Sequence, residues 1–225
     1  MANHCLLYYI TDRSQFRGDE RACRQALLAK IAEAAQAGVD YIQLREKDLN
    51  ARELELLARE AAAAIRENQS PTGHRPPATL LLINHRTDAA LAAGADGVHL
   101  RANDVAPKEV RQMLEASAHR PLTTDHFLIV ASCHSVADIR RAESAKADFA
   151  VFAPVFGKRG AIGTPPAGLL ALREACHAKI PVFALGGVTL ENAASCREAG
   201  AAGLAAIRLF QENNIEDVVR KLRDL

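Results

Sequence analysis

Eight short apolar runs punctuate the chain, and the stretches between them repeat apolar residues with the spacing of a helix. Four of the runs, LLYYIT (6–11), TLLLIN (79–84), FLIVAS (127–132) and PVFALG (181–186), are almost continuously apolar. The other four share a cadence: AGVDYIQL (37–44), AGADGVHL (93–100), AKADFAVF (145–152) and AGAAGLAAI (199–207). In each, a helical pattern ends near Gly or Ala, a short connection follows, and an apolar strand begins. Glycine at such a helix end can adopt the left-handed conformation that closes it. Continuous apolarity is expected of parallel strands covered on both faces. Amphipathic helices are predicted over 20–38 and 51–67, with shorter ones around 86–93, 106–117, 135–145, 166–178, 189–199 and 214–223.

Eight strands alternating with eight helices predict a (β/α)8 TIM barrel that uses residues 1–225 as a single domain. A doubly wound sheet is the rival architecture, but it usually needs fewer strands and leaves edges. The segment NQSPTGHRPPA (68–78) interrupts the pattern and predicts a surface loop inserted on the path into strand three.

Composition narrows the function. Hydrophobic residues make up 49% of the chain, ample for one large core, while the formal net charge of +1 leaves no electrostatic footprint for nucleic acid or an anionic membrane. No apolar run is long enough to span a bilayer, and the start, MANHCLLYYITD, does not read as a signal peptide. The five cysteines, Cys5, Cys23, Cys133, Cys176 and Cys196, are scattered without a C-x-x-C pair or a zinc spacing, as suits reduced thiols in a cytoplasmic protein. Whether the chain forms a homo-oligomer is left open.

Barrels of this kind carry their chemistry at the C-terminal ends of the strands. Those ends collect cations, amides and imidazoles: Gln43, Arg45 and Lys47 after strand two, Asn84 and His85 after strand three, His99 and Asp104 around the end of strand four. Ser132 and His134 close strand five, Lys158 and Arg159 lie in the loop after strand six, Gly186 and Gly187 follow strand seven, and Arg208 ends strand eight. Alternation along an extended chain puts Gln43, Arg45 and Lys47 on one side, where two cations can converge on one anion. The alternative is a solvated loop, or an ion pair such as that of Arg45 with Glu46 or Asp48.

ALGGVTLEN (184–192) sets two glycines before a threonine-led helix, an arrangement whose free N–H groups favour phosphate, although any tight turn also uses glycines. In SCHS (132–135), neighbouring residues point to opposite sides, so Cys133 and His134 do not pair as nucleophile and base. His134 is a candidate general acid/base or ligand-binding group, or else a capping histidine. Asp104 suits either a Mg²⁺ ligand beside a diphosphate or the N-cap of the next helix.

Taken in order, YYITD, QLREK, the strand-three IN, GADGVHL followed by an aspartate, SCHS, the P-V-F exit of strand six and ALGG resemble the thiamine-phosphate synthase and thiazole tautomerase superfamily, over nearly the whole chain. The resemblance implies a (β/α)8 enzyme of thiamine biosynthesis acting on phosphorylated pyrimidine and thiazole small molecules. The synthases join a hydroxymethylpyrimidine diphosphate to a thiazole phosphate and release pyrophosphate with Mg²⁺. It implies that Gln43, Arg45 and Lys47 engage the pyrimidine diphosphate, with Asn84 and His99 nearby, and that Ser132 contacts the diphosphate. It also implies Asp104 as a metal ligand and the Gly186-Gly187 turn as the seat of the thiazole phosphate.

The chain departs from the synthase pattern at several of these ends. His85 stands where the pattern has a second magnesium aspartate, either taking its place as a metal ligand or marking its loss, and Arg101-Ala102-Asn103-Asp104 replaces G-Q-x-D. The strand-six loop, GKRGAIGTPPAG (157–168), lacks the T-x-T-K motif, so Lys158 and Arg159 would hold an anion by charge instead. Loss of the aspartate favours a thiazole tautomerase, a proton-transfer isomerase with no obligatory metal; tautomerases match at the strand-five histidine, here His134, but synthases can carry it too. Retention of QLREK and Asp104 favours the synthase. A non-catalytic binder of phosphorylated ligands is the third reading.

Overall fold

A computed structural model describes residues 4–68, 78–116, 127–157 and 165–225. Its eight parallel strands pair in sequence order and close: β1 (Leu6–Ile10), β2 (Tyr41–Leu44), β3 (Leu80–Asn84), β4 (Gly97–Leu100), β5 (Leu128–Cys133), β6 (Phe149–Phe152), β7 (Val182–Ala184) and β8 (Gly203–Ala206). Closure is made by β8 on β1, with Leu7 opposite Leu204 and Tyr9 opposite Ala206. The predicted barrel is therefore the observed one, and the open sheet is excluded.

The helices are α1 (Glu20–Ala37), α2 (Ala51–Asn68), α3 (Thr87–Ala93), α4 (Pro107–Ala116), α5 (Val136–Ser144), α6 (Gly168–Ala175), α7 (Ala193–Glu198), α8 (Arg208–Gln211) and α9 (Ile215–Arg223). The expected inserted loop at 68–78 lies outside the described residues except at its ends, and Asn68 closes α2 rather than opening a loop. α8 was not expected. It begins directly after the β8 exit and buries Leu209, Phe210 and Gln211, so Arg208 belongs to a short helix and not to the strand end.

The cadence read from the sequence has two physical causes. Gly38 and Gly94 do take the left-handed conformation (φ 81° and 66°), and each closes its helix with a backbone bond to the preceding turn. The aspartate two residues later serves the neighbouring strand. Asp40, Asp96 and Asp148 each accept a hydrogen bond through Oδ2 from the backbone N–H of Leu7, Leu81 and Ile129, at 2.6, 2.7 and 2.6 Å. A carboxylate thus satisfies an amide at the bottom rim of β1, β3 and β5. The equivalent position before β8 is Ala202, where the rim instead uses backbone pairing, Leu6 N–H to the Ala202 carbonyl at 3.2 Å.

Inside the barrel, Tyr8, Ile10, Leu82, Val130, Phe149, Val151, Phe183 and Ala205 form a core separate from the larger one between strands and helices. Its floor is aromatic: Phe149 packs on Phe183 with ring centroids 4.7 Å apart and on Tyr41 at 4.9 Å, and Tyr8 meets Phe149, Tyr41 and Phe183 edge-on. Two glycines make room for these rings and for the leucines beside them. A Cβ at Gly97 would lie 2.7 Å from Leu128 Cβ and 2.8 Å from Leu82 Cδ2, and one at Gly203 would lie 2.5 Å from the Leu6 carbonyl oxygen and 2.7 Å from Phe183 Cδ1. Neither site can relax outward, because backbone is among the obstacles. Gly203→Ala is expected to cost about 1–3 kcal/mol of stability through overpacking, read as a lower urea midpoint with an unchanged slope.

Candidate active site

Above the aromatic floor the inward positions of adjacent strands turn polar. Gln43 on β2 donates from Nε2 to Asn84 Oδ1 on β3 at 2.8 Å. That bond leaves Gln43 Oε1 and the Asn84 amide with no further hydrogen bond among the described residues, an acceptor and a donor side by side. His99 on β4 joins Tyr8 below it and Ser132 on β5 beside it, with Nδ1 2.9 Å from the Tyr8 hydroxyl and Nε2 2.9 Å from Ser132 Oγ.

The protonation of this chain of groups follows from its surroundings. Burial, with the Arg45 charge adding to it, lowers the His99 pKa to about 3, so the imidazole is neutral, with one donor and one acceptor nitrogen. The Tyr8 hydroxyl is fully buried and its pKa is raised well above the usual phenol value by burial, so it keeps its proton. His99 Nδ1 is its hydrogen-bond partner among the described residues, and the phenol donates to it. His99 Nε2–H then donates to Ser132 Oγ, and the serine's own proton makes no hydrogen bond among the described residues.

Arg45 lies one residue beyond β2, its backbone N–H held by Thr11 Oγ1 at 3.0 Å. Its guanidinium makes no hydrogen bond or ion pair among the described residues, yet its charge is felt at both Asp12 and His99. The alternative of a pair with Glu46 or Asp48 is excluded by Arg13. That buried arginine binds Glu46 Oε2 through Nη1 at 3.2 Å, grips both oxygens of Asp48 at 2.7 and 2.8 Å, and reaches Glu20 at 2.9 Å. Glu46 is completed by the Thr11 hydroxyl at 2.6 Å and the Arg13 backbone N–H at 3.0 Å. Both acids that flank Arg45 and Lys47 are therefore committed elsewhere. Lys47 is exposed at the same rim, and because β2 ends at Leu44, strand alternation does not govern it.

At the exits of β3 and β4 the structure corrects one expectation. Asp104 is not the N-cap of α4, since its Oδ2 accepts the Arg101 backbone N–H at 2.7 Å and Glu109 serves the Ala106 N–H instead. The Arg101 side chain closes on the same carboxylate, Nη2 to Oδ1 at 3.0 Å and Nε to Oδ1 at 3.2 Å. His85 sits in the left-handed region (φ 52°), in a tight turn with the Arg86 N–H on the Asn84 carbonyl at 2.7 Å, and its own N–H bonds the His99 carbonyl at 2.9 Å.

The residues present do not fit the two-carboxylate magnesium site that the resemblance implies. One carboxylate is engaged by a guanidinium through both oxygens, and the other is replaced by an imidazole, which suits a hard oxygen-seeking cation poorly. Among the described residues, no three His, Cys, Asp or Glu side chains converge as metal ligands.

On the far side, Cys133 is buried, its thiol pKa pushed up to about 12 by burial, whereas His134 is exposed and bonds the Ala153 carbonyl through Nδ1 at 2.7 Å. The expected separation of the two is observed. Because the carbonyl can only accept, Nδ1 carries the proton and Nε2 of the neutral ring holds the lone pair. Gly186 (φ 98°) and Gly187 (φ 65°) lie against the β6 exit, where a Cβ would meet Pro154 Cα at 2.7 Å and Phe156 Cβ at 2.8 Å. Their N–H groups make no hydrogen bond among the described residues, although α7 starts only at Ala193 and not directly after the glycines. Arg208 is exposed and lies 3.9 Å from Glu212 on its own helix. Lys158 and Arg159 lie outside the described residues.

A model of the family described as thiamine monophosphate synthase matches residues 7–210. The chain belongs to the thiamine monophosphate synthase family. It is 39% identical to the thiamine-phosphate synthase of Methanoculleus marisnigri, over 97% of this chain and 93% of that one. It is 36% identical to a putative thiamine-phosphate synthase 2 of Aquifex aeolicus, over 92% and 97%. Among solved structures, the thiamine phosphate pyrophosphorylase of Pyrococcus furiosus superposes with a TM-score of 0.76 at 26% identity, covering 99% of this chain and 95% of that one. A 3-hexulose-6-phosphate synthase at 16% identity and a TM-score of 0.63 shares the fold alone. No helix among the described residues is long and apolar enough to cross a membrane.

Thr11, Arg13 and Tyr8 were not singled out as functional by sequence reasoning, and each works through a partner distant along the chain. Removing the Arg13 charge strands Glu46, whose side chain is 2% exposed. Arg13→Gln is expected to lower stability by about 3–5 kcal/mol, the cost of leaving one half of a buried pair, measured by chemical denaturation.

Proposed function

We propose that this chain joins a hydroxymethylpyrimidine diphosphate to a thiazole phosphate and releases pyrophosphate. The observation that carries this reading is Arg45, an arginine whose guanidinium has no hydrogen-bonded partner among the described residues, held at the rim beside the buried, neutral His99. In the reaction the carbon–oxygen bond to the diphosphate breaks, and its electron pair leaves with the diphosphate. The ring nitrogen of the thiazole then supplies the pair for the new carbon–nitrogen bond. No proton has to move, so the site needs charge and positioning rather than a general base.

The side chains divide that work. The free acceptor of Gln43 and the free donor of Asn84 match the edge of an aminopyrimidine. Arg45 and Lys47 oppose the growing charge on the diphosphate, and Ser132, set as a donor by His99, adds a hydrogen bond to one of its oxygens. The N–H groups of Gly186 and Gly187, which make no hydrogen bond among the described residues, suit the thiazole phosphate. Supplying both phosphorylated substrates should yield thiamine phosphate and pyrophosphate. Absence of both products at high enzyme concentration would sink the reading. Arg45→Ala is expected to lower kcat/KM for the pyrimidine diphosphate by roughly a hundredfold with folding intact, and an unchanged value would remove Arg45 from the site.

One observation favours the thiazole tautomerase as a second reading: His134 presents Nε2 with its lone pair available, the form a proton-transferring base requires. If the enzyme aromatises a thiazole carboxylate phosphate, His134→Gln should abolish that turnover. A mild effect would leave His134 as a positioning group.

A further inference from the structure

At the β4 exit Asp104 neither caps α4 nor stands open to a cation, because its contacts are with Arg101. Its Oδ2 takes the Arg101 backbone N–H at 2.7 Å, and the Arg101 guanidinium lies against it through Nε and Nη2, at 3.2 and 3.0 Å from Oδ1. Asp104 is 13% exposed at its side chain and Arg101 52%. The carboxylate is therefore the covered, fixed partner and the guanidinium is the half that faces outward. Only one edge of the guanidinium is used. Nη1 makes no hydrogen bond among the described residues, so an oriented set of donors is left for an incoming anion.

The setting of this pair is the barrel mouth. The charges of Arg101 and Asp104 both act on His85, Asp104 acts also on His99, and His85 and His99 are joined by a backbone bond at 2.9 Å. His99 in turn feels Arg45 from the β2 side. Arg45 thus acts on His99 and Arg101 on His85, and the two imidazoles are tied by the backbone bond between their residues, with Ser132 hydrogen-bonded to His99.

We infer, in a step that rests on the synthase reading for its substrate, that Arg101 oriented by Asp104 supplies from the protein the positive charge a divalent cation would supply, so that the diphosphate is bound and released without a metal. The replacement is local and complete. A cation sits on the carboxylate, and the position that would carry a second acid carries an imidazole. Asp104 is then a positioning residue, and Arg101 is the group that touches the leaving diphosphate.

The test uses the full chain stripped with EDTA, wild type and Arg101→Gln. Initial rates of thiamine phosphate formation are followed with EDTA and with added Mg²⁺, and inorganic pyrophosphate binding is titrated calorimetrically in EDTA. The expected result is synthesis in EDTA within about threefold of the magnesium rate. Arg101→Gln, at an exposed position that leaves the melting temperature unchanged, should lower kcat/KM for the pyrimidine diphosphate in EDTA and weaken pyrophosphate binding, each by roughly tenfold to a hundredfold. Synthesis that requires added Mg²⁺ overturns the metal-free site while leaving the synthase reading intact, and so does a variant that matches wild type in EDTA. No synthesis under either condition, with pyrophosphate binding that Arg101→Gln weakens, overturns the synthase reading and leaves the Arg101 anion site standing. Neither synthesis nor pyrophosphate binding overturns both.

Discussion

The guanidinium of Arg13 is the interaction on which the rest of the mouth depends. It is buried between the ends of β1 and β2 and holds three carboxylates, Glu20, Glu46 and Asp48. Burying such a charge is costly unless its partners satisfy it fully, and here they do: hydrogen bonds to Asp48 first, then to Glu20 and Glu46, raise its pKa further. The consequence falls on its neighbours. In the sequence R-E-K-D, cations and acids alternate and would neutralise one another at a solvated turn. With both acids drawn back to Arg13, Arg45 is left uncompensated by them and faces the mouth. Thr11 couples the two events, donating to Glu46 while accepting the Arg45 backbone N–H.

Much of the barrel was legible because its physics is periodic. Strands covered on both faces must be apolar throughout, and helices lying on them must be amphipathic, so the alternation survives without knowledge of any contact. What escaped was short or non-local. RLFQ at α8 is a single turn, too brief to express a helical period, and after GLAAI it reads as a continuing strand. Its identity is fixed by Gln211, which accepts from the Tyr9 hydroxyl at 3.1 Å and donates to the Asp12 carbonyl at 2.7 Å. The rim aspartates were visible as a repeated letter, but the amide each serves lies on another strand, from 15 residues away for Asp96 to 33 for Asp40.

The same division runs through the site. Gln43, His99 and Ser132 could be placed on the inner face because a polar residue in an apolar strand, at the end where barrels carry chemistry, stands out against its background. Tyr8 could not, since a tyrosine in LLYYI reads as core, and it is core on every side except its hydroxyl. Asp104 was legible as important but not as what it is. A turn of four residues from Arg101 to Asp104 decides whether the carboxylate meets a metal or a guanidinium, and that depends on side-chain geometry rather than on spacing.

The arrangement of the mouth has an electrostatic logic that joins floor to rim. A reaction in which an anion departs from a carbon that becomes cationic needs positive charge on one side and nothing nucleophilic on the other. The floor meets the second need: its aromatic rings are packed together, His99 is neutral with both ring nitrogens hydrogen-bonded, and the Tyr8 phenol keeps its proton. The rim meets the first with the guanidinium groups of Arg45 and Arg101. Each strengthens the other, because charge beside a buried, low-dielectric floor is screened less than charge on an open surface. Neutrality of His99 is itself enforced in part by Arg45, whose field adds to burial in opposing an imidazolium beneath it. The Arg45 charge, left uncompensated by both neighbouring acids because Arg13 holds them, therefore adds to burial, the larger cause, in keeping the imidazole of His99 neutral.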